Sequence, residues 1–291
     1  MSVPYKRIHI VINPASGKDE PILNTFNHVF SRYEIEWSTS VTHKYGDAVE
    51  QAKEAIAAGV DLVAGYGGDG TQHEIANAVL GTDTMMGILP GGTGNGFARE
   101  MGIPNKLEPA VELLCTSRKT RTIDVAKVGD QYFIQRLYVG IEPEQQTSRE
   151  MKDKYGVFAY AVSIADRSKK VKEIQYRVTI DGEVQTFQAV KAYVINSGMM
   201  GTGLSITDKY AVDDGLLDAF ILDAGDLKTM SGAVDRFLHL DTQAARYSYQ
   251  QCRQLTIGTE PDQPVWSDGE YLGRTPVTVS VVPGALTIAV P

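Results

Sequence analysis

The stretch from Ala64 to Val79, AGYGGDGTQHEIANAV, combines glycines with side chains that could take part in chemistry. Gly65, Gly67 and Gly70 have the GxGxxG spacing of a dinucleotide-binding loop, which is a weak signal on its own. In such proteins the next strand ends in an acidic residue that binds the ribose. Here the next strand-like run, MMGILPGG, ends in proline and glycine, and this disfavours a nicotinamide enzyme.

The same stretch places His73 beside Glu74, as in the HExxH helix of zinc proteases. That helix needs a second histidine at the position where Asn77 stands, so a zinc site is not expected. We instead interpret Thr71 and Glu74 as a capping box, in which Glu74 reaches back to the N-cap Thr71. The predicted helix then runs from about Thr71 to Leu80.

Two glycine-rich loops follow neighbouring strands. The first, Gly67–Gly70, feeds a helix N-terminus, whose backbone N–H groups and positive dipole end can bind phosphate. A tight turn that needs glycine only for positive φ angles is the alternative. The second loop, Pro90–Asn95, repeats the design, and two such loops at one sheet edge can surround a nucleotide. Neither loop contains the lysine of a Walker A loop, so a P-loop enzyme is not expected.

The first third of the chain alternates strand-like and helix-like segments. Strand-like runs such as RIHIVINP and DLVAGYG are separated by segments with helical spacing, such as PILNTFNHVFSRY. This βαβα order predicts a parallel sheet with covering helices and ligands at the carboxyl ends of the strands. The predicted fold class is therefore α/β for an N-terminal nucleotide-binding domain, residues 1–126.

After about Val125 the sequence changes to strand-like runs, including LLDAFILD and TPVTVSVVPGALTIAV. Turns are predicted at Asp181-Gly182 and Pro283-Gly284, and helical segments near Asp153–Arg167 and Asp226–His239. We therefore predict a second, mainly antiparallel, β-sandwich-like domain over residues 127–291.

Composition limits the partners of the protein. The chain has 291 residues and a formal net charge of -8, so no nucleic-acid partner is expected, since phosphate backbones attract basic faces. Cys115 and Cys252 are far apart, which gives little support to a disulfide or a cysteine-built metal site. Signal-peptide and membrane-span patterns are missing from the sequence, so we expect a cytoplasmic protein.

The segments GGDGTQHEIANAV and GILPGGTGNGFARE together resemble the catalytic family of diacylglycerol kinases, which includes bacterial lipid kinases and sphingosine kinases. The resemblance extends to Asn13-Pro14-x-x-Gly17 and to the late motifs Asp214-Gly215-Leu216 and Asp268-Gly269-Glu270. These motifs span nearly the whole chain in order. The resemblance implies an α/β nucleotide domain, a β-sandwich-like domain that receives a lipid, and ATP-dependent phosphorylation of a lipid hydroxyl.

The resemblance also implies roles for individual residues, with ATP and Mg²⁺ as cofactors. It implies Glu270 as the proton acceptor and Asp69 as a second catalytic residue that organises the catalytic magnesium through water. It implies a structural magnesium held at Ala211, Asp214 and Leu216. The residues implied to bind ATP are Asn13, Thr42, Gly67, Gly68, Asp69, Gly70, Thr71, Gln72, Thr93 and Asn95.

The chemistry of these carboxylates leaves alternatives open. A carboxylate beside a phosphate loop suits the oxygen preference of Mg²⁺, and a carboxylate near an acceptor hydroxyl can take its proton. However, Asp268-Gly269 could equally be a hairpin turn that leaves Glu270 exposed, and the twin sequence at Ile180–Val184, IDGEV, shows that DGE alone is not specific. Asp213-Asp214 could likewise be a polar stretch before a strand.

Two features depart from the family pattern. An asparagine-bearing strand often follows the nucleotide domain, where this chain has Gln135-Arg136, and the proline expected near Thr207 is missing. Both features bear on the identity of the lipid more than on ATP use. A basic cluster is interpreted as a solvated face, with contact to anionic headgroups as the alternative; it consists of Arg167, Lys169, Lys170 and Lys172.

Two other functions stay open beside the lipid kinase. An NAD-kinase-like enzyme shares the GGDG loop, and a nucleotide-binding regulator could have lost catalysis. For the lipid kinase we expect a lipid substrate and a transient peripheral contact with the membrane, and we keep a homodimer open.

Overall fold

The computed structural model describes residues 3–16, 20–140, 173–197, 211–222 and 248–291. The helical segments predicted near 153–167 and 226–239, the basic cluster at 167–172 and the region around Thr207 lie outside these residues. The chain divides into two compact units, each discontinuous in sequence. Unit 1 consists of Met1–Gln135, Asn196–Gly215 and Val281–Pro291, and unit 2 consists of Arg136–Ile195 and Leu216–Ser280.

Unit 1 alternates strands and helices, as the sequence predicts. Its elements are β1 (Arg7–Ile12), α1 (Ile22–Tyr33), β2 (Glu36–Val41), α2 (Asp47–Ala57), β3 (Leu62–Gly67), α3 (Asp69–Val79), β4 (Met85–Pro90), α4 (Gly96–Glu100), α5 (Leu107–Thr116), β5 (Thr120–Val128) and β6 (Gln131–Phe133). The strand order β2-β1-β3-β4 is parallel throughout. The predicted α/β class is confirmed for this unit.

Apolar patterns explain why these segments take these forms. Strand β3 is buried along its whole length, which accounts for its continuous apolar sequence. Helix α1 buries Phe26, Val29 and Phe30, which recur at helical spacing. Trp37 of β2 packs edge-on against Phe26, with 6.0 Å between ring centroids. The loops at the carboxyl ends of the strands therefore start from a rigid frame.

Unit 2 is built from antiparallel strands. Its elements are β7 (Arg136–Gly140), β8 (Ile174–Ile180), β9 (Glu183–Ala189), β10 (Lys191–Ile195), β11 (Leu217–Leu222), β12 (Ser248–Cys252), β13 (Gln254–Glu260), β14 (Pro264–Ser267), β15 (Glu270–Arg274) and the first part of β16 (Val277–Ala289). One sheet has the order β12-β11-β10-β7-β14-β15, and β16, β13, β8 and β9 are neighbours in the other. The predicted antiparallel β domain is confirmed.

The two predicted turns have different outcomes. Asp181-Gly182 does join β8 to β9, with Ile180 paired to Glu183. The turn predicted at Pro283-Gly284 is wrong, because β16 runs through it without a break. Gly284 takes a positive φ of 58° there, and its N–H is bonded to the carboxylate of Asp124. The glycine thus marks an irregularity within a long strand.

The six-stranded sheet carries one aromatic side chain on each strand, and these form a single row. Each member is the direct register partner of the next, so all six share one face. The ammonium of Lys191 lies 4.7 and 4.9 Å from two of the ring centroids, those of Tyr138 and Tyr193. In strand order, the aromatic row consists of Tyr249, Phe220, Tyr193, Tyr138, Trp266 and Tyr271.

Candidate active site

The predicted nucleotide residues of unit 1 meet at the carboxyl edge of its parallel sheet. Asn13 follows β1, Thr42 follows β2, and the two glycine loops follow β3 and β4. Asn13 Nδ2 donates to Thr71 Oγ1 at 3.0 Å, and the Asn13 N–H bonds to the carbonyl of Tyr66 at 2.9 Å. The Thr42 N–H bonds to the carbonyl of Ile12 at 2.9 Å. Hydrogen bonds thus tie the loops after β1 and β2 to the sheet.

The two glycine loops approach each other backbone to backbone. The Gly91 N–H donates to the Gly67 carbonyl at 2.9 Å. A Cβ added to Gly92 would lie 2.6 Å from the Cα of Gly68, and one added to Gly67 would lie 2.3 Å from Thr71 Oγ1. Because these glycines do not have positive φ angles, the turn-only explanation based on φ is wrong. Glycine is required at Gly92 because the two loops approach so closely there, and at Gly67 because the Thr71 side chain lies against it.

Asp69 joins the two loops through its carboxylate. Its Oδ2 accepts from the Gly96 N–H at 3.1 Å, and its Oδ1 accepts from the Phe97 N–H at 3.0 Å. Asn95 fixes the same loop from the other side, because its buried side chain bonds to both the N–H and the carbonyl of Gly92. A carboxylate predicted to serve magnesium thus also holds the start of α4.

The capping box predicted at Thr71 and Glu74 is wrong. Helix α3 begins at Asp69, two residues earlier than predicted, with Gly68 as N-cap and without a side-chain cap bond. Glu74 therefore lies in the second turn, too far along the helix to reach the first N–H groups.

The Glu74 carboxylate caps the neighbouring helix instead. Its Oε2 accepts from the N–H groups of Gly46 and Ala48 at 2.9 and 3.1 Å, at the start of α2. Burial raises the pKa of Glu74, while these hydrogen bonds act in the opposite direction. Glu74 thus connects the helix of the first glycine loop to the loop that carries Thr42.

The start of α3 has the features of a phosphate site. The first intrahelical bond is made by the Gln72 N–H to the Gly68 carbonyl at 3.1 Å, so the N–H groups of Asp69, Gly70 and Thr71 precede the helical ladder. Gly70 and Thr93, one on each glycine loop, are exposed. Gln72 is buried and donates to the Gly65 carbonyl at 2.8 Å, while its Oε1 has no hydrogen-bond partner among the described residues. A phosphate could therefore bind at this helix end.

The residues predicted to hold structural magnesium lie in one turn before β11. Asp213 forms an ion pair with Arg121 at 3.0 Å, and the neighbouring carboxylate of Asp214 is exposed. Among the described residues no group of three His, Cys, Asp or Glu side chains is close enough to hold a metal. A Mg²⁺ ion there would need backbone oxygens and water, which matches the chemistry of Ala211 and Leu216 as ligands.

A buried carboxylate that the sequence analysis missed fixes this turn. Asp124 is 3% exposed and accepts from the N–H groups of Gly215 at 2.6 Å and Gly284 at 2.8 Å. Its own N–H donates to the Val212 carbonyl, and Asn196 Nδ2 donates to its carbonyl. The only available signal was an aspartate inside the apolar run of β5.

Glu270 lies in unit 2 at the end of a hairpin turn. Asp268 and Gly269 have φ angles of 45° and 98°, and Asp181 and Gly182 of the twin have 46° and 96°. The hairpin interpretation is therefore confirmed for both motifs. The exposure of Glu270 that was expected with this interpretation is not found. Glu270 is half-buried, whereas the twin Glu183 is exposed.

The two cysteines do not suit nucleophilic chemistry. Both are buried and unpaired, and burial raises the pKa of Cys115 and of Cys252 to about 12. Both thiols therefore stay protonated near neutral pH.

Comparison with known families agrees with this geometry. Residues 7–128 match the diacylglycerol kinase catalytic domain, and residues 136–290 match the YegS C-terminal NAD kinase beta sandwich-like domain. The chain belongs to the diacylglycerol kinase family. The resemblance drawn from the glycine loops and the late motifs is thus confirmed.

Members of this family are similar over nearly the whole chain. Diacylglycerol kinases of Staphylococcus aureus strain MRSA252 and of Staphylococcus saprophyticus are each 27% identical; the alignments cover 93% of this chain and 88% and 91% of those proteins. The crystal structure of a diacylglycerol kinase from Bacillus anthracis matches with a TM-score of 0.82 at 25% identity, covering 99% of this chain and 98% of that one. A second structure from that organism gives 0.85 at 26% identity, covering 99% and 97%.

Within the described ranges, helices long and apolar enough to cross a membrane are not found.

Proposed function

We propose that the protein is a lipid kinase that transfers the γ-phosphoryl group of ATP to a hydroxyl group of a diacylglycerol-like lipid. The observation that carries the proposal is the backbone contact between the two glycine loops, with Asp69 joining them at the start of α3. Backbone N–H groups at such a place bind phosphate. The names of the relatives, diacylglycerol kinase, support the lipid as acceptor.

In this proposal unit 1 holds the nucleotide. The N–H groups at the start of α3 bind phosphate oxygens, and the glycines allow the backbone to come close to them. The remaining residues that we assign to ATP are Asn13 and Thr42, and Thr93 and Asn95 of the second loop. Phosphoryl transfer depends mainly on such positioning and on neutralising charge.

Bound Mg²⁺ would neutralise charge on the phosphates. We assign Asp69 to that ion through water, because the carboxylate has lone pairs beyond the two that accept the N–H groups of Gly96 and Phe97. We assign Asp214 and the backbone oxygens of Ala211 and Leu216 to a structural Mg²⁺. Asp124 holds that turn in shape through the Gly215 N–H.

Glu270 is the proposed proton acceptor. A lipid hydroxyl that attacks the γ-phosphorus must lose its proton, and a carboxylate within reach can take it. The half-buried Glu270 suits this role better than the exposed Glu183. Its backbone is fixed, because the Asp268 carboxylate accepts from the Arg136 N–H at 2.8 Å.

A second candidate is an NAD-kinase-like enzyme. It is favoured by the match of residues 136–290 to a domain described as NAD kinase beta sandwich-like. That description concerns the fold, whereas function depends on the residues of the site. We therefore rank the NAD-kinase-like function below the lipid kinase function. A nucleotide-binding regulator without catalysis is the remaining alternative.

One experiment separates these functions. The purified protein is incubated with γ-labelled ATP, Mg²⁺ and a dispersed total lipid extract, and in parallel with NAD in place of lipid. We expect label in an organic-soluble product that co-migrates with a phosphorylated lipid. Label in NADP would favour the second candidate, and ATP binding without transfer in either reaction would favour the regulator.

A further inference from the structure

The two DGE hairpins of unit 2 provide an internal comparison. Both turns have an aspartate and a glycine with nearly the same φ angles. Each aspartate also pins its hairpin to a neighbouring segment: Asp268 accepts from the Arg136 N–H, and Asp181 accepts from the Gln254 N–H. The residue before the turn differs, since Ser267 precedes one aspartate and Ile180 precedes the other.

Ser267 has a buried hydroxyl that lacks a partner in the described part of the chain. The residue is 2% exposed, and its Oγ forms no hydrogen bond with any described residue. Buried polar groups in folded proteins nearly always have partners, so each exception calls for an explanation, of which a catalytic role is one. Ser267 therefore requires a partner that this arrangement of side chains does not supply.

Strand register identifies that partner. Ser267 of β14 pairs with Leu137 on one side and with Glu270 on the other. Direct partners on antiparallel strands project from the same face, with Cβ atoms about 5 Å apart. Leu137 is apolar, so Glu270 is the only one of the two partners that can form a hydrogen bond. A rotation of the long, half-buried Glu270 side chain would bring its carboxylate to the hydroxyl.

We propose that Ser267 is a positioning residue for the proton acceptor, with its hydroxyl donating a hydrogen bond to one carboxylate oxygen of Glu270. This inference rests on the proposed lipid kinase function, in which Glu270 takes the proton of the lipid hydroxyl. The hydrogen bond occupies one oxygen and leaves the other free for the substrate. It also restricts the side chain to one orientation, which matters because small displacements of a catalytic group reduce the rate strongly.

Four variants of the full-length protein test this role: Ser267→Ala, Ser267→Thr, Glu270→Gln and the double variant Ser267→Ala/Glu270→Gln. We expect Ser267→Ala to lower kcat by about 10-fold, with KM for ATP and lipid within about twofold of wild type. Ser267→Thr keeps a hydroxyl and should retain most of the activity. In the Glu270→Gln background, Ser267→Ala should change kcat by less than about twofold, since residues that act as a unit are not additive.

Thermal unfolding of the same variants separates positioning from structure. In the proposed arrangement Ser267→Ala removes one hydrogen bond to a half-buried carboxylate that water can also reach, so the variant should melt within a few degrees of wild type. A lower kcat in a protein of nearly wild-type stability cannot result from a damaged fold.

Two outcomes would overturn the inference. One is a Ser267→Ala enzyme with wild-type kcat, and the other is a loss that persists undiminished in the Glu270→Gln background. Either outcome would leave the proposed lipid kinase function standing, provided that the Glu270→Gln variant alone is strongly impaired. Near-normal turnover by Glu270→Gln would instead show that Glu270 is not the proton acceptor, and the positioning role of Ser267 would then fail as well.

Discussion

Acidic side chains in this protein repeatedly accept hydrogen bonds from pairs of backbone N–H groups. Asp69 does so at the start of α4, Glu74 at the start of α2, and Asp124 at the turn before β11 and within β16. Carboxylates are strong acceptors for such groups, so each of these residues has a structural role whether or not it also serves catalysis. Single-residue tests must therefore measure stability and activity together.

Substitution of Asp69 should lower both the stability and the activity of the protein. Asp69→Ala removes two charge-assisted hydrogen bonds, so the free energy of unfolding should drop by about 1–3 kcal/mol, and phosphoryl transfer should be lost. Denaturant unfolding and transfer of labelled phosphate measure the two effects. Asp83→Ala, at an exposed acid after α3, is the control. An Asp69→Ala protein as stable as wild type would contradict the structural role.

Glu74 gives a pH-dependent prediction. Burial raises its pKa above the ordinary value of 4.5, so the folded protein favours the protonated side chain. The resulting stabilisation is present below pH 4.5 and is lost as pH rises through the raised pKa. Glu74→Gln keeps an acceptor without the charge and should therefore be more stable than wild type at pH 7, with the difference gone at pH 4.

Denaturant unfolding at both pH values checks this result, and Glu50→Gln, at an exposed position in the first turn of α2, is the control. A Glu74→Gln protein that is less stable than wild type at pH 7 would show that the bonds to Gly46 and Ala48 outweigh the cost of burying the charge.

Glu270 and Glu183 can be compared directly. Glu270→Gln keeps the size of the side chain but removes the base, so kcat should fall by about 10²–10⁴-fold, with KM for ATP little changed. Glu183→Gln, in the twin hairpin, should be nearly silent because that side chain is exposed. Steady-state kinetics of both variants tests this prediction. A large loss of kcat in Glu183→Gln with normal turnover in Glu270→Gln would mean that Glu183, in the other DGE motif, is the base.

At the scale of elements, local sequence patterns predicted strands and helices well where periodicity was clear. The parallel strands of unit 1 and the hairpin at Asp181-Gly182 followed from apolar runs and turn residues. The patterns failed where a partner distant in sequence decides the structure. The start of α3 was predicted too late because Glu74 fits a capping box locally, whereas in three dimensions the start of α2 lies within its reach.

The contact between the glycine loops is also an element-scale feature. Gly92→Ala would place a Cβ 2.6 Å from the Gly68 Cα, and since backbone atoms cannot move aside cheaply, the loops must separate. We expect a loss of both thermal stability and activity. Gly70→Ala is the matched control for stability, because a Cβ there meets nothing within 4 Å. Equal melting temperatures for the two variants would show that the loops tolerate separation.

At the scale of the whole molecule, the chain returns to unit 1 twice, through Asn196–Gly215 and Val281–Pro291. Local sequence patterns do not reveal which later segments join unit 1. This explains why the structural role of Asp124 was missed. Its partners Gly215 and Gly284 are remote in sequence, and an aspartate within an apolar strand gives no indication of what it binds.

A structural Mg²⁺ in the turn before β11 would stabilise the folded protein by mass action. At a free concentration tenfold above Kd, the gain is about 1.4 kcal/mol, which should raise Tm by a few degrees for a protein of this size. Asp214→Asn should abolish that rise. Asp213→Asn should keep it, since Asp213 is engaged by Arg121. A wild-type melting temperature that does not respond to Mg²⁺ would count against the site.

The two tryptophans of the sequence fall in different units. Trp37 packs against the rings of Phe26 and Phe30 in unit 1, while Trp266 lies within the aromatic row of unit 2 and is 6% exposed. Intrinsic fluorescence therefore provides one native emitter for each unit. With Trp37→Phe or Trp266→Phe, the red shift of the remaining emitter in denaturant follows one unit alone. Superposition of the two curves would identify a single cooperative transition, and separation would give each unit its own midpoint.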